Sequence, residues 1–163
     1  MPLAKTAYID ESLQVSHGLY VLAAVIVADT DADQHRTALR ALLYRGQLRL
    51  HWRDENRRRR SQLITAVSTL RHTGAIVIAT GAAPRRQERA RRKCIERLLA
   101  ELATRGIATV IFERRRPDLD ARDRTMIAAL RRQQAVPTAM RAGSPPSWSP
   151  CCGCPTSPQA QHP

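Results

Sequence analysis

The sequence predicts an α/β fold in which a mixed β-sheet is flanked by helices, and three observations carry that prediction. Two apolar strand patterns, at about residues 5–10 and 19–28, are joined by so short a loop that they should pair antiparallel as an N-terminal β-hairpin. Two further strand patterns, 75–80 and 107–112, enclose a long helical pattern, the spacing of a βαβ unit with parallel strands. The chain has 163 residues, 43% of them hydrophobic, which leaves room for one domain with a real core and a tail.

In order, the first strand ends in Asp10, Glu11 and Ser12, and Ser16, His17 and Gly18 read as a turn. The run from Leu19 to Ala28 is apolar throughout and rich in β-branched residues, the pattern of a strand buried on both faces. Asp29, Asp31 and Asp33 crowd the start of the next helix, where carboxylates suit the positive end of the dipole. A calcium loop would need a glycine and a closing Glu that are missing, so capping is the expected role. The helix should reach about Tyr44, bury Leu39, Leu42 and Leu43, and stop at Gly46. Leu48, Leu50 and Trp52 alternate with Arg49 and His51, which predicts a short strand or extended segment.

Asp54 and Glu55 open another helix, with Leu63, Ile64, Val67 and Leu70 as its core stripe and Gly74 at its end. Residues 75–80 read as a buried strand. Pro84 starts a helix to Arg105 whose Cys94, Ile95, Leu98, Leu99 and Leu102 face inward, Cys94 being a core thiol, while Arg85, Arg86, Arg89, Arg92 and Lys93 coat the rest. After the strand 107–112 and Glu113, Asp118 or Asp120 should cap a last helix that turns Met126, Ile127 and Leu130 inward. The composition breaks after Gln134: residues 135–163 hold seven of the ten prolines, three of the four cysteines and no acidic residue. The folded domain is therefore expected at 1–134, with 135–163 a disordered tail. Cys151, Cys152 and Cys154, with distant His162, lack the four well-spaced ligands of a structural zinc site.

Net charge is +13, and 25 of the 27 basic residues are arginines, whose forked guanidinium suits phosphate oxygens. The charge is uneven: residues 1–56 carry a net −1 and residues 57–134 carry +13. A polyanion such as DNA or RNA is the partner this implies; a GC-rich coding sequence is the alternative source of the arginines. Arg57 to Arg60 spread around their helix, so most must be solvated, although the start of a helix is an unfavourable place for positive charge. An aromatic share of 4% disfavours a protein that stacks single-stranded bases on rings. No apolar run approaches a membrane span and the start lacks a secretory pattern, so the expectation is a cytoplasmic protein. Phosphate-loop, Rossmann and Ser-His-Asp patterns are also missing, which leaves nucleotide hydrolysis and acyl transfer without support.

Asp10 and Glu11 stand at the carboxyl end of a first strand, where an open α/β sheet keeps its ligand crevice. They could hold a divalent metal there, or simply close the strand with solvated charge. If the first strand runs parallel to the strand 107–112, Glu113 joins Asp10 at that edge. Two acids from neighbouring strands are what metal-assisted phosphodiester hydrolysis with Mg²⁺ or Mn²⁺ requires. Glu113 paired with Arg114 as an ordinary strand end is the alternative.

The stretch Tyr8-Ile9-Asp10-Glu11-Ser12, the hairpin strand from Leu19 to Val27, His51-Trp52 and the later βαβ unit resemble, over about residues 4–134, a large bacterial family of unknown function. Its members open with an apolar strand ending Ile-Asp-Glu-Ser and are identified with a ribonuclease-H-like fold. The resemblance implies a metal-dependent nuclease or nucleic-acid-processing domain. It makes Asp10 the first-strand metal ligand, Glu11 a catalytic neighbour, Glu113 the second carboxylate, Asp123 a further ligand on the following helix and His51 a polar contributor. Arg57, Arg58, Arg85, Arg86 and Arg114 would hold the nucleic acid.

Two departures stand out. A helix precedes the segment 48–52, where the simplest such layout runs three strands in succession. The last helical acid is also missing, and a shifted reading frame after Gln134 would explain why an acid-free stretch stands in its place. Two other classes compete: a basic nucleic-acid-binding module without catalysis, and a toxin-like nuclease, in which a helix would follow the first strand directly.

Overall fold

A computed structural model of the chain describes residues 3–14, 17–48, 50, 52–136 and 141–143. Its centre is a five-stranded mixed sheet in the order β3-β2-β1-β4-β5. β1 (Lys5–Gln14) and β2 (Leu19–Ala28) pair antiparallel along their whole length, from Lys5 opposite Ala28 to Gln14 opposite Leu19. β1 thus continues four residues past the Asp10 end expected from its apolar pattern, because the hairpin partner supplies hydrogen bonds as far as the turn. β3 (Thr73–Ala79) pairs antiparallel with β2, and β4 (Thr109–Phe112) pairs parallel with β1. β3 and β4 run in the same direction, as the βαβ spacing requires, with β2 and β1 between them.

α3 (Gln87–Thr104) covers one face of the sheet. Its buried stripe of Cys94, Ile95, Leu98, Leu99 and Leu102 meets Ala7, Ile9, Leu22, Ala24, Ile26, Val110 and Phe112, alternate residues of β1, β2 and β4. Each Leu, Ile or Val of this layer withdrawn from water contributes about 1.5–3 kcal/mol. Burial pushes the Cys94 thiol above its ordinary pKa, consistent with a core thiol. α4 (Pro117–Arg132) adds Ile127 and Leu130 to the same layer.

The opposite face is thinly covered by α1 (Ala32–Ala41) and α2 (Arg57–Ser68). β2 alternates, with Tyr20, Leu22, Ala24 and Ile26 buried and Val21, Ala23 and Val25 not, so two-sided burial does not hold. β3 is an edge strand: Ala75 is buried, while Ile76 is 68% and Ile78 57% exposed. An apolar run does not distinguish a central strand from an edge strand whose outer face has no helix over it.

Other expectations need correction. α1 ends at Ala41, Leu39, Leu42 and Leu43 are only half-buried, and its buried residue is His35. Residues 50 and 52 belong to no strand, and Leu48 is 90% exposed. Arg60 engages Trp52 instead, its Nε donating to the Trp52 carbonyl at 3.0 Å with the guanidinium 5.2 Å from the Trp52 ring. α2 is capped by Asn56, whose side chain accepts from Arg59 N at 2.9 Å, and buries only Leu63 of its expected stripe. It ends at Ser68, and Gly74 lies inside β3.

Pro84 opens a 3₁₀ turn, Pro84–Arg86, ahead of α3. Arg116 stands at the N-cap position of α4 without a side-chain capping hydrogen bond; Asp120 accepts Arg115 N at 2.9 Å, and Asp118 pairs with Arg116. Within the stretch read as a tail, Val136 is buried and Arg141–Gly143 form β5, parallel to β4. The cysteines Cys151, Cys152 and Cys154, and His162, lie outside the described residues. No helix among the described residues is long and apolar enough to cross a membrane.

Candidate functional site

Asp10 and Glu113 are neighbours across β1 and β4. Tyr8 pairs with Ile111 and Ile9 with Phe112, and Glu113 N donates to the Ile9 carbonyl at 3.0 Å, carrying the parallel ladder one step further. The next positions in register are Asp10 and Glu113, on strands about 4.8 Å apart. Strand alternation puts them with Tyr8 and Ile111 on the face away from α3. Asp10 is exposed, and its Oδ1 accepts Glu11 N at 2.7 Å.

Both acids line two cavities. One, of about 280 Å³, is an apolar groove walled by Val25, Val27, Leu39, Val67 and Ile111, with His35 and His72 also on its lining. The other, of about 340 Å³, lies at the carboxyl edge of the strands beside Arg91, Arg114 and Arg115.

The alternation that turns Asp10 outward turns Glu11 inward, to a cluster centred on Arg91. The Arg91 side chain is 3% exposed. Its Nε donates to Asp123 Oδ2 at 3.0 Å and its Nη2 to the same oxygen at 2.8 Å, while Nη1 donates to Glu11 and, at 3.1 Å, to the Tyr20 hydroxyl. Tyr20 donates in turn to Glu11. Arg115 completes the cluster, with Nη2 on Glu88 at 2.6 Å, Nε 3.8 Å from Glu11 and Nη1 3.7 Å from Asp123.

Burial opposes the Arg91 charge, but the Asp123 hydrogen bonds and the Glu11 charge outweigh it and hold its pKa above the usual arginine value. Arg115 is raised in the same way against its own burial, chiefly by Glu88, whose pKa it pulls below the usual carboxylate range. Burial, and then the Glu11 hydrogen bond, raise Tyr20 above the ordinary phenol range, with Arg91 working the other way.

The acids named from sequence therefore divide. Asp10 and Glu113 come together, whereas Glu11 and Asp123 are taken up by Arg91, and Asp123 lines neither cavity. His51 lies outside the described residues. Arg57, Arg58, Arg85, Arg86 and Arg114 are exposed, but Arg59 and Arg60 are structural. Arg59 donates to the Leu42 carbonyl and stands 4.3 Å from the Tyr44 ring.

Among the described residues no group of three His, Cys, Asp or Glu side chains is placed to hold a metal. Two carboxylates side by side still suit one hard cation of the Mg²⁺ type, which usually takes one or two carboxylates and completes its shell with water and phosphate oxygens.

Sequence reasoning passed over Arg91, Tyr20, Arg115 and Glu88. Arg91 carried a signal: it falls three and four residues before Cys94 and Ile95 on the apolar stripe, and an arginine on a core stripe needs buried partners.

Replacing Arg91 by Met takes from buried Asp123 the guanidinium that hydrogen-bonds it, leaving only Arg115 at 3.7 Å, and should cost about 3–5 kcal/mol in urea denaturation. Tyr20 supplies a pH dependence. With its folded-state pKa raised above about 10, its contribution is complete below that pH and is lost as pH climbs through the folded-state value. Melts from about pH 8 to about pH 11 should show the wild-type Tm falling at the alkaline end more steeply than that of Tyr20→Phe.

No protein-family model matches the sequence, and no curated protein matches it. Among solved structures the chain is similar to the RNase HII of the PCNA:RNase HII complex from Archaeoglobus fulgidus, with a TM-score of 0.50 and 13% identity. The likeness covers 87% of this chain and 62% of the other, so the chain spans less than two thirds of that neighbour's length. At this identity the likeness concerns architecture, and with the sheet order and flanking helices it makes the fold ribonuclease-H-like.

Proposed function

We propose that this chain is a metal-dependent nuclease domain acting on phosphodiester bonds of DNA or RNA, and that its kinship is with the bacterial family that its Tyr-Ile-Asp-Glu-Ser strand resembles. The observation that carries the reading is the adjacency of Asp10 and Glu113 at the carboxyl end of two parallel strands. These two carboxylates would hold Mg²⁺ or Mn²⁺. The ion, when bound, would activate water and stabilise charge on phosphate oxygens. The nearby cations Arg91 and Arg115 face Glu11, Glu88 and Asp123. Glu11 and Asp123 contribute by fixing, through Arg91, the end of β1 that presents Asp10. Arg57 and Arg58 at the start of α2, with Arg114 at the edge cleft, supply positive charge for the phosphate backbone.

A second reading is a basic binding module without catalysis. The specific observation favouring it is that the described residues offer two acids at the site rather than three.

The two readings part on one experiment. Asp10→Asn should reduce Mn²⁺-dependent cleavage of labelled duplex and single-stranded nucleic acid to background while leaving the thermal melt of the metal-free protein unchanged. Cleavage that persists in Asp10→Asn removes this residue from the reaction, and binding without any cleavage by the wild type favours the binding module.

A further inference from the structure

The outer face of α3 carries a strip of cations that the carboxylate site does not use. Arg85 and Arg86 stand in the 3₁₀ turn before the helix, and Arg89, Arg92, Lys93 and Arg97 follow on it at i, i+3, i+4 and i+8, all exposed. This is the side opposite the buried stripe, and Glu96 is the one exposed carboxylate within it. At 1.5 Å per residue the helical part is about 12 Å long.

None of the six makes a side-chain ion pair or hydrogen bond among the described residues. Elsewhere, Arg36, Arg59, Arg91, Arg105, Arg115 and Arg116 all face carboxylates. Like charges at these spacings destabilise a helix, so this strip is a cost the apolar stripe must offset. The strip also walls a groove of about 550 Å³ whose α4 side is neutral, formed by Met126, Ala129 and Gln133. Glu88 lines the same groove, but Arg115 already engages it.

We propose that this strip is a docking surface for the sugar-phosphate backbone of a duplex nucleic acid. The surface is separate from the Asp10–Glu113 face, because α3 packs on the other side of the sheet. Its helical length matches the width of a major groove, about 12 Å, so cations at its two ends reach phosphates on both rims. A duplex is favoured over a single strand because α3 and α4 contain no aromatic residue on which unpaired bases could stack. The surface does not depend on the nuclease reading, since it needs neither carboxylate nor metal.

The test is fluorescence anisotropy of a short labelled DNA duplex with the full chain over a range of salt concentrations. The fourfold variant Arg89→Gln, Arg92→Gln, Lys93→Gln, Arg97→Gln should bind more weakly and flatten the slope of log affinity against log salt by about 3–4. Glu96→Gln, which removes the opposing charge, should bind more tightly. Circular dichroism confirms that each variant folds. An unchanged salt slope in the fourfold variant, or binding to phosphatidylserine vesicles with none to the duplex, would overturn the proposal.

Discussion

The buried guanidinium of Arg91 is the constraint on which the rest of this architecture turns. A charge that is 3% exposed is tolerated only with close partners, and Arg91 takes them from three other elements: Glu11 on β1, Tyr20 on β2 and Asp123 on α4. Satisfying one side chain therefore fixes the helical layer against the carboxyl end of the sheet. It also separates two adjacent acids. Glu11 is drawn under the sheet, and the two-residue period of the strand then leaves Asp10 on the other face, beside Glu113. The Arg91 cluster thus decides which carboxylates face the groove on the other side of the sheet.

The arginine-rich composition divides the same way. Some arginines are internal fasteners: Arg91 and Arg115 in the cluster, and Arg59 and Arg60 holding the loop that precedes α2. Others, those on the outer face of α3, have no side-chain partner among the described residues. Net charge alone merges these two populations. Burial and partners separate them, and only the second is available to a polyanion.

Much of the architecture was legible because its signals were dense. The hairpin followed from two strands across a short loop, and α3 from a stripe repeated over three turns. Position within the sheet was less legible: residues 75–80 look like a buried strand, yet β3 stands at the edge with Ile76 and Ile78 outward. Apolar content reports what a strand is made of rather than what covers it. The segment 48–52 alternated like a strand, but Arg60 captures the Trp52 carbonyl that a ladder would use. Asp10 and Glu113 could be read as strand-end acids, while their adjacency needed the pairing of β1 with β4. Glu11 was placed beside the site by the family resemblance; with the strand running on to Gln14, alternation sends it to the opposite face.

The central claim is that Asp10 and Glu113 form a seat for one divalent cation. Electron paramagnetic resonance of Mn²⁺ titrated into the full chain tests it most directly, because the free ion gives a sharp signal that binding broadens. The account predicts loss of signal up to one equivalent in the wild type, and the free-ion signal from the first addition in Asp10→Asn/Glu113→Gln. Mn²⁺ that stays free in the wild type, or that binds the double variant equally well, would contradict it.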